Sequence, residues 1–174
     1  TSSNTFGNLQ LIDIGTGAGF PGMVIKILFP EMRITLLDSL AKRVNFLKET
    51  AKLLGLENIY CIHGRAEDYA HDNLYRERFD ISIARAVAPQ QVLGEYCLPF
   101  VRCGGFFVSM KSKHEEEIRS SDSAIKILGG QLENVHEYFL DDADIYRSLI
   151  MTRKVKNTPD LYPRKAGSAK KNPL

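Results

Sequence analysis

A glycine-rich turn between a buried strand and a helix constrains the fold of this chain more than any other feature. The apolar run Leu9–Ile14 predicts a strand, and "DIGTGAG" follows from Asp13 to Gly19. Pro21 then opens a second apolar segment, and proline is favoured in the first turn of a helix. A strand that enters a helix through such a turn is typical of α/β proteins with crossover helices.

The rest of the chain repeats this alternation and departs from it only at the end. We predict strands at Leu9–Ile14, Ile34–Asp38, Asn58–His63, Phe79–Ala84, Gly105–Met110, Gln131–Leu140 and Ile145–Val155. We predict the longer helices at Pro21–Phe29, 40–54, Pro89–Val101 and Lys113–Leu128. The "DDAD" link before the last strand has about four residues, too few for a crossover, so the last two strands are antiparallel.

These elements predict an α/β fold with a mostly parallel seven-stranded sheet and a C-terminal antiparallel hairpin. This Rossmann-like pattern is that of class I methyltransferases, which use S-adenosylmethionine (SAM). Dinucleotide-binding folds usually end in further parallel units, so an NAD enzyme is the less favoured interpretation.

The spacing of the glycines also favours SAM over a dinucleotide. The dinucleotide pattern G-x-G-x-x-G, started at Gly15, places Phe20 where the third glycine belongs. The pattern D-x-G-x-G-x-G fits from Asp13 and is typical of SAM enzymes. An acid can meet the SAM ammonium, while Gly15 and Gly17 let the backbone approach the ligand. We therefore predict SAM contacts at Asp13, Gly15, Gly17 and Phe20, although close packing alone also explains such turns.

Further candidate residues follow the next three strands. Asp38 and Ser39 come after the second strand, where Asp38 can accept both ribose hydroxyls. Ala66 and Glu67 follow the third strand, beside the expected adenine, and Arg85 follows the fourth, facing the methyl group. Because ligands bind beyond the carboxyl ends of parallel strands, these positions converge on one crevice. In isolation, Glu67 could be a solvated acid at a helix start, and Arg85 a surface ion pair.

Positive charge is concentrated at the C-terminal end. Net charge is +2, yet residues 154–174 carry six basic residues and one acid. We therefore divide the chain into a SAM-dependent methyltransferase domain, residues 1–155, and a basic tail, residues 156–174, that contacts a polyanion such as RNA or is simply solvated. The predicted RNA contacts, by stacking or phosphate binding, are Tyr162, Arg164, Lys165, Lys170 and Lys171. Removing 162–174 should then weaken RNA binding and leave SAM affinity nearly intact.

Other features exclude several classes of protein. The three cysteines are scattered and odd in number, which predicts reduced thiols in a cytoplasmic protein. The four histidines are dispersed, so we predict no metal site. No apolar stretch approaches the roughly 20 residues that span a membrane, so we predict no membrane association.

Several stretches together resemble one family. They are "DIGTGAGFPG", "LLDSLAKRVNFL", "GRAED", "ARAVA", "EYCLPF", "MKS" and "YPRKAGSAKKNPL". They are similar to the bacterial 16S rRNA guanine-N7 methyltransferases, the glucose-inhibited division protein B (RsmG) family, although this sequence lacks most of that family's N-terminal helical region. The resemblance implies SAM contacts at Gly15, Phe20, Asp38, Ala66, Glu67 and Arg85. It also implies N7 of one guanine in a conserved 16S rRNA loop of the 30S subunit as methyl acceptor, and we expect a monomer. Ser112 follows Lys111 where the family commonly has glycine.

The predicted chemistry needs no general base. Guanine N7 carries a lone pair and no proton, so methyl transfer is a direct displacement that depends on alignment. We predict that Arg85 positions the base or the cofactor carboxylate. Because N7 lies in the deep major groove of A-form RNA, the target must be in a loop or splayed out. Two alternatives remain open, an RNA-binding module without catalysis and a SAM-dependent small-molecule methyltransferase; the basic tail disfavours the second.

Overall fold

A seven-stranded sheet organises the molecule in the computed structural model, which describes residues 7–85, 87–112, 115–140 and 145–174. The strands are β1 (Gln10–Ile14), β2 (Arg33–Asp38), β3 (Ile59–His63), β4 (Phe79–Arg85), β5 (Val101–Lys111), β6 (Gly130–Leu140) and β7 (Ile145–Lys154). The helices are α1 (Gly22–Leu28), α2 (Ala41–Leu53), α3 (Ala66–Tyr69), α4 (Gln90–Cys97), α5 (Glu115–Ile127) and α6 (Ser168–Lys171).

The strand order is β3-β2-β1-β4-β5-β7-β6. The first five strands are parallel, and β7 lies between β5 and β6, antiparallel to both. This confirms the predicted α/β fold with its mostly parallel sheet and antiparallel C-terminal strands. Since β1 pairs with both β2 and β4, the chain changes direction across the sheet at β1, which is where open α/β sheets bind ligands.

The sheet is buried on both faces because the chain crosses it with helices on each side. Ile12, Ile34 and Leu36 are fully buried, as expected for central parallel strands. Apolar side chains form two clusters. One is centred on α4 and the start of β5, and the other packs Leu47 of α2 against β1 and β2.

The main difference from the predicted elements lies between α4 and β5. The helix ends at Cys97, a 3₁₀ turn spans Leu98–Phe100, and β5 begins at Val101, where we had predicted helix. The register of β4 and β5 shifts between Phe79 and Ile81, and Gly104 has a φ of 85°. Gly104, which precedes the predicted strand Gly105–Met110, therefore lies in a bulge within β5. The first two residues of the helix predicted at Lys113–Leu128 lie outside the described residues.

The residues from 156 onward, which we call the C-terminal segment (156–174), pack against the domain. Arg76 donates from its guanidinium to the carbonyl oxygens of Thr158 and Tyr162, at 2.8 and 2.9 Å. Thr158 also donates its backbone N–H to Glu77 at 2.8 Å. The sequence carried no sign of these contacts, since each joins residues more than 80 positions apart. Within the described ranges, no helix has the length and apolarity needed to cross a membrane.

Candidate cofactor-binding site

The glycine loop, residues 13–22, is held in shape by Asp13. This side chain is 1% exposed, and its Oδ2 accepts hydrogen bonds from the Thr16 hydroxyl at 2.7 Å and the Gly22 N–H at 2.9 Å. A Cβ on Gly22 would lie 2.8 Å from the same carboxylate oxygen, so the contact requires glycine. The acid before the glycines thus ties the end of β1 to the start of α1.

Asp13 is also unusual in its ionisation. Burial raises its pKa to about 6, although the hydrogen bonds from Thr16 and Gly22 and the charge of Arg85 act in the opposite direction. Its Oδ1 is buried and has no hydrogen-bond partner within the described chain. A buried carboxylate oxygen with no partner is costly, and a cationic donor would relieve that cost.

Three glycines of the loop, Gly15, Gly17 and Gly19, adopt backbone conformations that other residues avoid. Gly15 has a φ of 68° and Gly17 a φ of 62°. They differ in the space around them. A Cβ on Gly15 would lie 2.8 Å from Cγ2 of Val87, whereas a Cβ on Gly17 would meet nothing within 4 Å. Gly15 therefore permits a close approach of the 87–89 loop to the glycine loop.

Asp38 lies at the end of β2 and also binds the glycine loop. Its Oδ2 accepts from the Gly17 N–H at 2.9 Å and from Arg43 at 3.4 Å, and its Oδ1 accepts from the Leu40 N–H at 2.9 Å. A carboxylate offers about four acceptor positions, so one remains, on Oδ1. In this arrangement Asp38 has room for one ribose hydroxyl, and a second requires Arg43 to move away.

Glu67 opens α3 on the far side of the crevice. It is 7% exposed, and its carboxylate accepts a hydrogen bond from the Tyr96 hydroxyl and one from the Gly167 N–H at 3.2 Å. Burial and the nearby carboxylates of Glu67 and Glu95 raise the pKa of Tyr96 to about 12. The Glu67 side chain is therefore committed to protein contacts, which leaves the backbone of Ala66 and Glu67 for an adenine.

Arg85 and Phe20 meet at the edge of the sheet. The Arg85 guanidinium carbon lies 5.8 Å from the centroid of the Phe20 ring, within cation–π range. Arg85 is exposed, as is Phe20 at 51%. The end of β4 thus carries a cationic donor next to the glycine loop, open to solvent.

These elements enclose an open crevice of about 150 Å³ at the carboxyl ends of β1, β2 and β3. Five of the predicted residues line it: Gly15, Asp38, Ser39, Ala66 and Glu67. Asp13, Gly17, Phe20 and Arg85 do not line it: Gly17 donates to the lining residue Asp38, whereas Phe20 and Arg85 contact each other. Sequence reasoning missed several lining residues, among them Val87, Tyr96 and Gly167 from distant parts of the chain. No local pattern marks them, because contacts between distant parts of the chain bring them here.

A larger cavity, about 750 Å³, lies near the beginnings of the strands and includes Gln10, Arg33, Ile59 and Phe79. It contains none of the glycine loop. We assign the site to the smaller crevice, because parallel sheets bind ligands beyond the carboxyl ends of their strands.

The predicted RNA-binding residues divide into two groups. Tyr162 packs against the apolar core, and Arg164 pairs with the buried Glu95, its Nη2 lying 2.6 Å from Oε2. The lysines are exposed: Lys165, Lys170 and Lys171. Of these, Lys170 lines the crevice.

Among the residues that the structure describes, the cysteines and the potential metal ligands do not form a further site. The cysteines are free thiols, and burial raises the pKa of Cys97 to about 12, which suppresses its nucleophilicity at neutral pH. Among the described residues, no group of three histidine, cysteine or acidic side chains could hold a metal ion.

The crevice fits SAM better than a dinucleotide. Gly15 of the glycine loop lines the crevice, and Asp13 of the same loop has an orphaned Oδ1 that a cationic donor such as the SAM ammonium would satisfy, directly or through water. A pyrophosphate would instead be repelled by the two carboxylates, Asp13 and Asp38, that bind the glycine loop.

Comparison with known proteins agrees with this geometry. Residues 2–146 match the family model described as rRNA small subunit methyltransferase G (GidB). The protein named ribosomal RNA small subunit methyltransferase G from Acetivibrio thermocellus is 53% identical over 96% of this chain and 69% of its own length. Its namesake from Clostridium botulinum is 53% identical over 95% of this chain and 70% of its own length.

Solved structures share the fold at low sequence identity. TYW2 from M. jannaschii, solved in complex with AdoMet, has a TM-score of 0.68 at 13% identity, covering 86% of this chain and 71% of that one. Geranyl diphosphate C-methyltransferase from Streptomyces coelicolor, solved with S-adenosyl-L-homocysteine, has a TM-score of 0.64 at 12% identity, covering 86% of this chain and 74% of that one. Both likenesses concern the fold alone.

Proposed function

Because the chain belongs to the rRNA small subunit methyltransferase G family, we propose that it methylates N7 of one guanine in a conserved loop of 16S rRNA. Membership makes it a SAM-dependent rRNA methyltransferase. The observation that carries the proposal is the identity of 53% across nearly the whole chain, together with a crevice built at the strand ends where such a cofactor binds.

The residues that hold SAM follow from the crevice. SAM supplies an electrophilic methyl group and presents an ammonium, a carboxylate and an adenosine. We propose that Asp13 Oδ1 meets the ammonium, directly or through water, while Gly15 and Gly17 allow the backbone close to the methionine portion. Asp38 and Ser39 serve the ribose, and the backbone of Ala66 and Glu67 serves the adenine.

Arg85 is proposed to position the reacting groups, with Phe20 as its aromatic neighbour. Guanine N7 has a free lone pair, so no residue has to remove a proton. What remains for the protein is to align acceptor and methyl group, and such orientation can supply about 7–11 kcal/mol of the barrier. The exposed guanidinium can bind either the guanine or the SAM carboxylate and so help to align the acceptor nitrogen with the methyl group.

The RNA-facing surface is proposed to include the exposed lysines. Lys165 and Lys171 can bind backbone phosphates without breaking an internal contact, whereas Arg164 would first have to leave Glu95. The proposed setting is cytoplasmic, where the 30S subunit is the partner. We also propose that the protein acts as a monomer.

The proposal is tested by incubating the protein with tritiated SAM and 30S subunits from a strain that lacks the modification. Borohydride–aniline cleavage, which is selective for 7-methylguanosine, then locates the label. We expect one labelled guanine in 16S rRNA. Label on another atom, or none on rRNA, would contradict the proposal.

The role of Arg85 is tested by Arg85→Ala under single-turnover conditions, with SAM affinity measured in parallel. We expect methyl transfer to slow by about tenfold or more, the size of a lost orienting contact. Arg119→Ala removes an equally exposed arginine from α5 and serves as the matched control. An unaltered single-turnover rate for Arg85→Ala would remove Arg85 from the mechanism.

A further inference from the structure

The C-terminal segment is fastened beside the crevice by a buried carboxylate. Glu95 of α4 is 1% exposed, and it accepts the Arg164 backbone N–H at 2.7 Å as well as the Arg164 guanidinium. His71 Nε2 lies 2.7 Å from the carbonyl oxygen of Pro163. A carboxylate buried to this degree requires its partners, so the segment has one strongly favoured position at this point.

A second carboxylate holds the segment a few residues further on. The Gly167 N–H donates to Glu67, which also accepts from Tyr96. Gly167 has a φ of 83°, a conformation that favours glycine, and it turns the chain into α6. Glu67 is thus the link between the proposed adenine side of the crevice and the C-terminal segment.

The turn at Gly167 brings two residues of the segment to the crevice. Gly167 and Lys170 line it together with Asp38, Ser39 and Glu67. The two acids already accept hydrogen bonds from the protein, and Lys170 adds an exposed cationic donor to the same lining. Ring nitrogens of an adenosine accept hydrogen bonds, so a donor in this position complements it.

We propose that the C-terminal segment forms one wall of the cofactor crevice, with Lys170 contacting the adenosine half of SAM and Glu67 holding the wall in place. This rests on the proposed function, since it assumes that SAM occupies the crevice. Glu67 is then a positioning residue, because it acts through Gly167 and not on the cofactor. Lys170, predicted from sequence as an RNA contact, serves the cofactor instead.

The first test measures SAM affinity by calorimetry in full-length Lys170→Ala. We expect a loss of about two- to tenfold, the effect of one hydrogen bond. S-adenosylhomocysteine, which lacks the methyl group and its positive charge, should lose affinity by the same factor, because the contact is to the adenosine. Lys126→Ala, an exposed lysine of α5, is the control and should bind both as the parent does. Parent-like SAM affinity in Lys170→Ala, or a loss confined to one of the two ligands, overturns the role of Lys170.

The second test separates a positioning role of Glu67 from a general structural one. Glu67→Ala should weaken SAM binding by about tenfold, whereas Glu67→Gln should restore it, because the amide oxygen still accepts from Gly167 and the amide nitrogen can donate to Tyr96. Hydrogen exchange at the Gly167 amide should slow on SAM addition in the parent and in Glu67→Gln, but not in Glu67→Ala. Parent-like SAM affinity in Glu67→Ala, or no change in Gly167 exchange in the parent, overturns the wall.

The parent protein separates this inference from the proposed function. If the parent binds SAM and labels 16S rRNA while the Lys170 and Glu67 variants bind SAM as it does, only the wall is wrong. If the parent binds no SAM, the proposed function and the wall fail together.

Discussion

The glycine loop and the C-terminal segment line the same crevice but are held there in different ways. In the glycine loop, Asp13 binds Thr16 and Gly22, three and nine residues away. In the C-terminal segment, Arg164 binds Glu95 and Gly167 binds Glu67, across 69 and 100 residues. Contacts between nearby residues produce a recognisable spacing of residue types in the sequence, whereas contacts between distant residues produce no such pattern.

The two regions also differ in how their buried carboxylate is paired. Asp13 is buried with an oxygen that has no donor within the described chain, and burial raises its pKa to about 6. Glu95 is equally buried but fully engaged by Arg164, so the C-terminal segment is complete by itself. The glycine loop therefore has an acceptor available for a ligand, whereas the acceptors of Glu95 fix the position of the C-terminal segment.

The largest expected effect comes from breaking the C-terminal anchor. Arg164→Ala leaves Glu95 without its cation, and we expect a loss of about 3 kcal/mol in the free energy of unfolding, measured in urea. Arg153→Ala is the matched control, because its ion pair with Glu133 has a distance of 2.7 Å, close to the 2.6 Å of Arg164–Glu95, but both side chains are 40% exposed. That variant should change stability far less. Equal losses of unfolding free energy in the two variants would mean that the buried Arg164–Glu95 pair stabilises the fold no more than an exposed pair does.

The next effect compares two glycines of the glycine loop. Gly15→Ala and Gly17→Ala both place a side chain at a positive φ, which costs about 1–2 kcal/mol. Only Gly15→Ala also brings a methyl group against Val87, and such overpacking adds about 1–3 kcal/mol. Urea unfolding and SAM titration should both show the larger loss for Gly15→Ala. Adding Val87→Ala should recover part of it, and a loss for Gly17→Ala as large as that for Gly15→Ala would contradict the argument.

A smaller effect is expected from the ionisation of Asp13. If the SAM ammonium needs the ionised carboxylate, lowering the pH from 7.5 to 5 should weaken SAM binding about tenfold, one unit below a pKa of about 6. The stability of the free protein moves the other way. Because the folded pKa is raised, the Asp13 contribution is fully present below the ordinary value of 3.8 and is lost as pH rises through about 6.

Asp13→Asn provides the comparison for both measurements. It should bind SAM more weakly at pH 7.5 and show no further loss at pH 5, because it has no proton to gain. A pH dependence of SAM affinity that persists in Asp13→Asn would assign the titration to another group.

The smallest expected effect concerns the exposed lysines of the C-terminal segment. Lys171→Ala should reduce the slope of log affinity for 30S subunits against log salt by about 0.7, the value for one contact to single-stranded RNA. SAM affinity should stay within error, since Lys171 does not line the crevice. An unchanged salt slope would place the RNA surface elsewhere.

The structure also changes the expectation for removing residues 162–174. From charge alone, this deletion should affect RNA binding and spare SAM. The contacts of Arg164 and Gly167 with Glu95 and Glu67 now lead us to expect a loss of SAM affinity as well. The sequence could not indicate this, because lysines and arginines in a solvated tail and in a docked segment have the same composition.

The sequence by itself determined the sheet, the order of its elements and the glycine loop. Each rests on short-range chemistry: hydrophobic periodicity, the length of the "DDAD" link and the acid before the glycines. The position of β7 between β5 and β6, the bulge that begins β5 and the docking of the C-terminal segment were decided by the tertiary structure. These depend on which distant groups can be buried together with their hydrogen bonds satisfied, and that is a property of the packed chain, which no local stretch of sequence carries.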